Sequence, residues 1–175
     1  VADTELIPDA LWRTWQPALS VYLFSFRSLL PEDREEVLQD TWAALCAAGR
    51  IVGPGDKALA YRIVRNKAID LLRWRKRQDS HVLHPAKDPE PFIKTAFSAH
   101  AGPEQAYLRR EELQLVQCFL SGLKDREREL LHLVFAEGFS YPQISRLLAI
   151  PLGSVKWKVA RLRRQLAESY EQEFS

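Results

Sequence analysis

At 175 residues, 46% of them hydrophobic, the chain can bury the core of one domain or of two small ones. A formal net charge of +2 leaves any attraction for phosphate to clustered bases rather than to overall charge. The two distant cysteines, Cys46 and Cys118, and the four histidines His81, His84, His100 and His132 lack zinc-like spacing, and no apolar run approaches the roughly 20 residues of a bilayer span. With no signal-peptide layout at the N-terminus, these features predict a reduced, cytoplasmic protein with no structural metal, no cofactor and no membrane insertion.

Helical periodicity runs from Leu11 to about Gln78, and strand-like alternation is scarce, so the predicted class is all-α. In "PEDREEVLQDTW" (31–42), Val37, Leu38, Thr41, Trp42 and Leu45 just beyond it have core spacing. Asp33, Glu36, Gln39 and Asp40 are left as a polar, mostly acidic face. Such a face repels DNA and suits either plain solvation or a basic protein partner. "GRIVGPGDK" (49–57) follows as a Gly- and Pro-rich loop that could face an unstacked base. In "ALAYRIVRNKAIDLLRWRKRQ" (58–78), Tyr61, Val64, Ala68, Leu71 and Leu72 form the core stripe. Arg62, Arg65, Asn66, Arg73, Lys76 and Arg77 spread over the remainder. Asn66 is a poor helix former in mid-helix, which suits a base-edge or phosphate contact as well as an internal hydrogen bond.

The stretch 79–104 changes character, with several prolines and no sustained helical face. It predicts two small helical domains, 1–80 and 103–175, joined by a flexible linker over 81–102. In the second, Gly138 is placed to end a helix in the left-handed conformation. Ser140 and Gln143 make a capping box, with Pro142 tolerated in the first turn. Ile144, Leu147 and Leu148 point inward, Ala149 and Ile150 make a break, and Pro151 suits the first turn of the next helix. There Val155, Val159, Leu162 and Leu166 should be buried, which leaves Ser154, Lys156, Trp157, Lys158, Arg161 and Arg164 outside. No acidic residue occurs between Ser140 and Ala167, whereas a merely solvated helix usually interleaves acids with its bases. The pattern predicts a helix-turn-helix whose second helix enters a DNA major groove.

Together these segments resemble the extracytoplasmic-function (ECF) sigma factors, the compact promoter-specificity subunits of bacterial RNA polymerase. "DREEVLQDTW" is similar to the family's "DAEDLVQETF", "YRIVRNKAIDLLRWRKR" to its "YRIARNxAIDLLRRRRR", and the run from Leu123 to Arg164 to its C-terminal promoter-reading module. The resemblance implies docking of Asp33, Glu36, Gln39 and Asp40 on the clamp helices of core polymerase's largest subunit, and a contact with the flap of the second-largest. It implies −10 recognition and melting by Arg62, Arg65, Asn66, Lys67 and Arg73 with the 49–57 loop. It also implies −35 recognition by Pro151, Gly153, Ser154, Lys156, Trp157 and Arg161, with Arg163 and Arg164 near phosphates, and control by an anti-sigma factor. Trp157 and Lys158 stand where the family often has Ser and Arg, Val134 where it often has Arg, and Ala149 where it often has Gly. The alternatives are a stand-alone operator-binding regulator and a helical protein whose basic helices bind an acidic partner. No paired carboxylates, nucleophile arrangement or phosphate-cradling Gly motif suggests an enzyme.

Overall fold

The computed structural model describes residues 9–47, 52–78 and 114–174. They are all-α, with no strand among them, and the chain divides into two compact units, Val1–Lys87 and Asp88–Ser175. The predicted linker lies outside the described residues, as do 49–51 of the predicted loop and the helical onset expected near Pro103.

The first unit holds α1 (Asp9–Leu23), α2 (Pro31–Cys46), a single 3-10 turn (Pro54–Asp56) and α3 (Lys57–Gln78). Helix α1 buries Trp15, Leu19, Tyr22 and Leu23, spaced to fall on one face, and carries Pro17 on its exposed side. The Tyr22 ring meets Tyr61 of α3 edge-on, with centroids 5.0 Å apart. Ala60 and Ala68, fully buried, let α3 approach closely, and Val64, Val37, Leu45 and Val52 complete the core. Leu71 and Leu72, expected in the core stripe, are only half-buried, because the last two turns of α3 pass beyond it.

Helix α2 corrects one expectation. Asp33 does not belong to the exposed acidic face: its side chain is 3% exposed. It occupies the third position of the helix, where its carboxylate accepts the Leu30 N–H at 2.7 Å and satisfies a donor that the helix start leaves unpaired. Its other oxygen pairs with Arg75 of α3. The neighbouring Arg34 lies 3.9 Å from the Phe24 ring centroid, and its burial lowers its pKa below the ordinary guanidinium range, opposed by the Asp33 charge.

The second unit holds α4 (114–122), α5 (Asp125–Leu131), a π-helical turn (His132–Ala136), α6 (Tyr141–Leu148) and α7 (Leu152–Phe174). Leu120, Leu130, Leu133, Phe139, Ile144, Leu147, Val155, Val159 and Leu162 form its core. The π-turn closes with the Glu137 N–H donating to the His132 carbonyl, and Gly138 follows at φ +67°, as the sequence suggests.

Candidate nucleic-acid interface

The two helices of the motif are set by their caps. Ser140 accepts the Gln143 N–H at 3.5 Å while the Gln143 side chain accepts the Ser140 N–H at 2.9 Å, so α6 starts with a complete capping box. It ends at Ala149, held left-handed at φ 53° and ψ 46°. The Ser145 carbonyl accepts N–H groups from both Ala149 and Ile150, and the Ser145 hydroxyl donates to the Ile150 carbonyl at 2.7 Å. This closure makes the turn tight. Pro151 precedes α7 rather than opening it, and its carbonyl accepts the Val155 N–H at 3.1 Å. The ring needs no hydrogen-bond donor there, which is why one position earlier costs nothing.

On α7, Val155, Val159 and Leu162 are buried and Leu166 is half-buried. At about 100° per residue, Gly153, Trp157 and Arg164 share the centre of the opposite, exposed face. Lys156 and Arg163 flank it on one side; Ser154, Lys158 and Arg161, all half-buried, flank it on the side nearer α5. Apart from Pro151, which directly precedes it, the predicted −35 residues are thus brought together on one helix. Arg163 lies with its guanidinium 5.1 Å from the Phe135 ring centroid, and Phe135 is itself 57% exposed.

Arg161 is placed differently from its neighbours. It forms an ion pair with Glu127 of α5, and its guanidinium lies 5.1 Å from the Trp157 ring centroid. The second Glu127 oxygen accepts the Lys124 N–H at 3.1 Å, so one carboxylate both caps α5 and holds Arg161. Sequence reasoning missed Glu127 because the cap position carries Lys, not Ser or Thr. It missed Phe135 because nothing in the sequence marks a π-turn.

On α3, Arg62, Asn66 and Arg73 are exposed and share one face, with the half-buried Arg65 beside it. Lys67 lies on another side, towards α2, and pairs with Asp40 at 3.0 Å. The structure therefore gathers four of the five predicted −10 residues and links the fifth to the acidic face. On that face Glu36, Gln39 and Asp40 are exposed. A groove of about 300 Å³ runs beside them between α1 and α2, lined by Trp12, Gln16, Glu35, Leu38, Gln39 and Trp42. The preceding turn is tied by the Gly53 N–H donating to Asp56 at 3.0 Å, which leaves Pro54 and Gly55 exposed. Among the described residues no helix is long and apolar enough to cross a membrane, and no group of His, Cys, Asp and Glu could hold a metal ion.

Residues 113–166 match the family described as Sigma-70, region 4. The chain is 29% identical over 155 residues to the ECF RNA polymerase sigma factor SigE of Mycolicibacterium smegmatis, a match covering 87% of this chain and 58% of that relative. It is 25% identical over 130 residues to the ferric citrate uptake sigma factor FecI of Escherichia coli, covering 74% and 71% of the two chains. Its fold is similar to that of the sigma factor RpoE of Bartonella quintana, solved in complex with the anti-sigma factor NepR. That likeness has a TM-score of 0.62 and 24% identity, and covers 91% of this chain and 93% of that one.

Proposed function

We propose that this chain is an ECF sigma factor, which binds core RNA polymerase and directs initiation at promoters defined by −35 and −10 elements. The observation that carries the reading is the second unit: a capped helix-turn-helix, within the residues matched to Sigma-70 region 4, whose α7 carries bases and no acid on its exposed face from Leu152 to Ala167. Residues 103–175 would read the −35 element. The exposed residues of α7 near its N-terminus, Gly153, Ser154, Lys156 and Trp157, would meet base edges in the major groove, and Arg163 and Arg164 would meet phosphates.

Residues 1–80 would dock on the polymerase and open the −10 element. Glu36, Gln39 and Asp40 supply an exposed acidic face for a basic partner, which fits the clamp helices of the largest subunit. Arg62, Arg65, Asn66 and Arg73 form a strip along α3 that suits a single strand. Extruding a base costs a few kcal/mol of stacking and pairing, and capture of the flipped base and exposed backbone offsets that cost. The chain would act without catalysing a reaction of its own, in the cytoplasm, under an anti-sigma factor that covers these faces.

Transcription from a promoter library by core bacterial polymerase, with and without the protein, tests this. Initiation at a shared pair of −35 and −10 sequences is expected. DNA binding that persists without polymerase, and no initiation, would instead identify a stand-alone regulator.

A further inference from the structure

We propose that Trp157 reads the methyl group of a thymine in the −35 element, and that Glu127 and Arg161 hold its ring in place to do so. Arg161 is then a positioning residue and not a phosphate contact. The inference rests on the promoter-recognition reading above and names the base chemistry that this face selects.

Three observations carry it. Trp157 is 61% exposed, at the centre of a face whose other large side chains, as far as Arg164, are basic. It is the sixth residue of α7, in the half of a recognition helix that meets base edges. Gly153, one turn earlier on the same face, has no side chain to cover the ring. The indole therefore points outward as the one large apolar side chain that α7 presents there; Leu152, also exposed, lies towards the buried flank.

The ring is also oriented. Glu127 is fixed through one oxygen by the Lys124 N–H and grips Arg161 through the other, and the Arg161 guanidinium lies against the indole. Glu127 is only 18% exposed, so the anchor sits inside the unit and the reader outside it. A cation held by an internal carboxylate has little charge left to offer a phosphate. It instead covers one side of the indole and leaves the opposite face and edge free. In the major groove thymine is the base that presents an apolar group, its methyl, and apolar side chains recognise it there. A helix lying in that groove meets base edges and not base faces, so the ring contacts the methyl without intercalating.

The test uses the full chain with core polymerase on a promoter found in the library. Each thymine of the −35 element, on both strands, is replaced singly by deoxyuridine, which removes only the methyl. Wild type should lose about fourfold in affinity at one position, the worth of one buried methyl group. Trp157→Ala should bind thymine and uracil equally at that position. Glu127→Gln and Arg161→Ala should shrink the same ratio and leave the salt dependence of binding unchanged. Arg164→Ala, an exposed base on the same face assigned to a phosphate, should keep the ratio and reduce the salt slope by about one.

Indifference of wild type to every methyl overturns the proposal, as does a thymine preference that survives Trp157→Ala. A reduced salt slope with an intact ratio in Arg161→Ala overturns the positioning role. Failure of the underlying reading is seen earlier and separately, as an absence of −35-dependent initiation by the wild-type holoenzyme.

Discussion

Two residues bracket α6 in the left-handed conformation, and they differ by one methyl group. Gly138 enters the segment at φ +67° and Ala149 leaves it at φ 53°. An L-residue in this region costs roughly 1–2 kcal/mol from the approach of its Cβ to the backbone. Glycine avoids that strain but gives back about 0.4–1 kcal/mol through the greater freedom of the unfolded chain. Ala149 is exposed, so its methyl contributes little burial. A Cβ built on Gly138 meets nothing within 4 Å, so no clash adds to the conformational cost.

The difference leaves about 0.8 kcal/mol at each site with opposite sign. Ala149→Gly should stabilise the second unit, and Gly138→Ala should destabilise it by a similar amount. Amide hydrogen exchange in α6 and α7 separates this unit from the first and reads local opening directly. Protection should rise about fourfold in Ala149→Gly and fall about fourfold in Gly138→Ala, the equilibrium factor for 0.8 kcal/mol. Faster exchange in Ala149→Gly, or an unchanged rate in Gly138→Ala, would refute the strain argument. Because Ala149 lies at the turn between α6 and α7, the substitution also tests whether that turn's rigidity matters for −35 binding.

Asp33→Ala should cost about 1–3 kcal/mol, because it leaves the Leu30 N–H and Arg75 without their shared carboxylate; Asp33→Asn should recover the cap but not the ion pair. Urea unfolding monitored by the tryptophans of the first unit checks this, and folded Asp33→Asn should still bind core polymerase. Ser140→Ala removes the N-cap of α6 and should destabilise the second unit by about 1 kcal/mol, seen as loss of exchange protection in α6. Double substitution of Lys67 and Asp40 should show a coupling of roughly 0.2–1 kcal/mol in a double-mutant cycle of stability, as an exposed pair does.

Local rules made the helix-turn-helix legible. Ser140 with Gln143, Gly138, and the spacing of Ile144, Leu147, Val155, Val159 and Leu162 each depend on residues a few positions apart, and each falls in the structure where the sequence places it. The sequence marks Ala149 only as part of a break, and its left-handed conformation is a finding of the structure. What stayed hidden needs partners distant in sequence. Asp33 has the spacing of a surface acid, and only the arrival of Arg75 from α3 makes its inward position stable. Arg161 has the spacing of a DNA contact, but Glu127 on α5 claims it. Lys67 sits among the bases of α3 in sequence and at another angle on the helix in space. Pro151 shows the small end of the same problem, since a proline fits both the cap and the first turn.

The pairing of Lys67 with Asp40 makes the two faces of the first unit share a charge. Any cation that takes Asp40 competes with Lys67, and any phosphate that takes Lys67 frees Asp40. Thermodynamic reciprocity makes the two effects equal, so polymerase and promoter strand would each raise the other's affinity through this single contact. The pair's exposed setting limits the gain to at most about fivefold. Within that limit the free protein is self-neutralised at this spot, and Lys67 would turn to a phosphate more readily once a cation had taken Asp40.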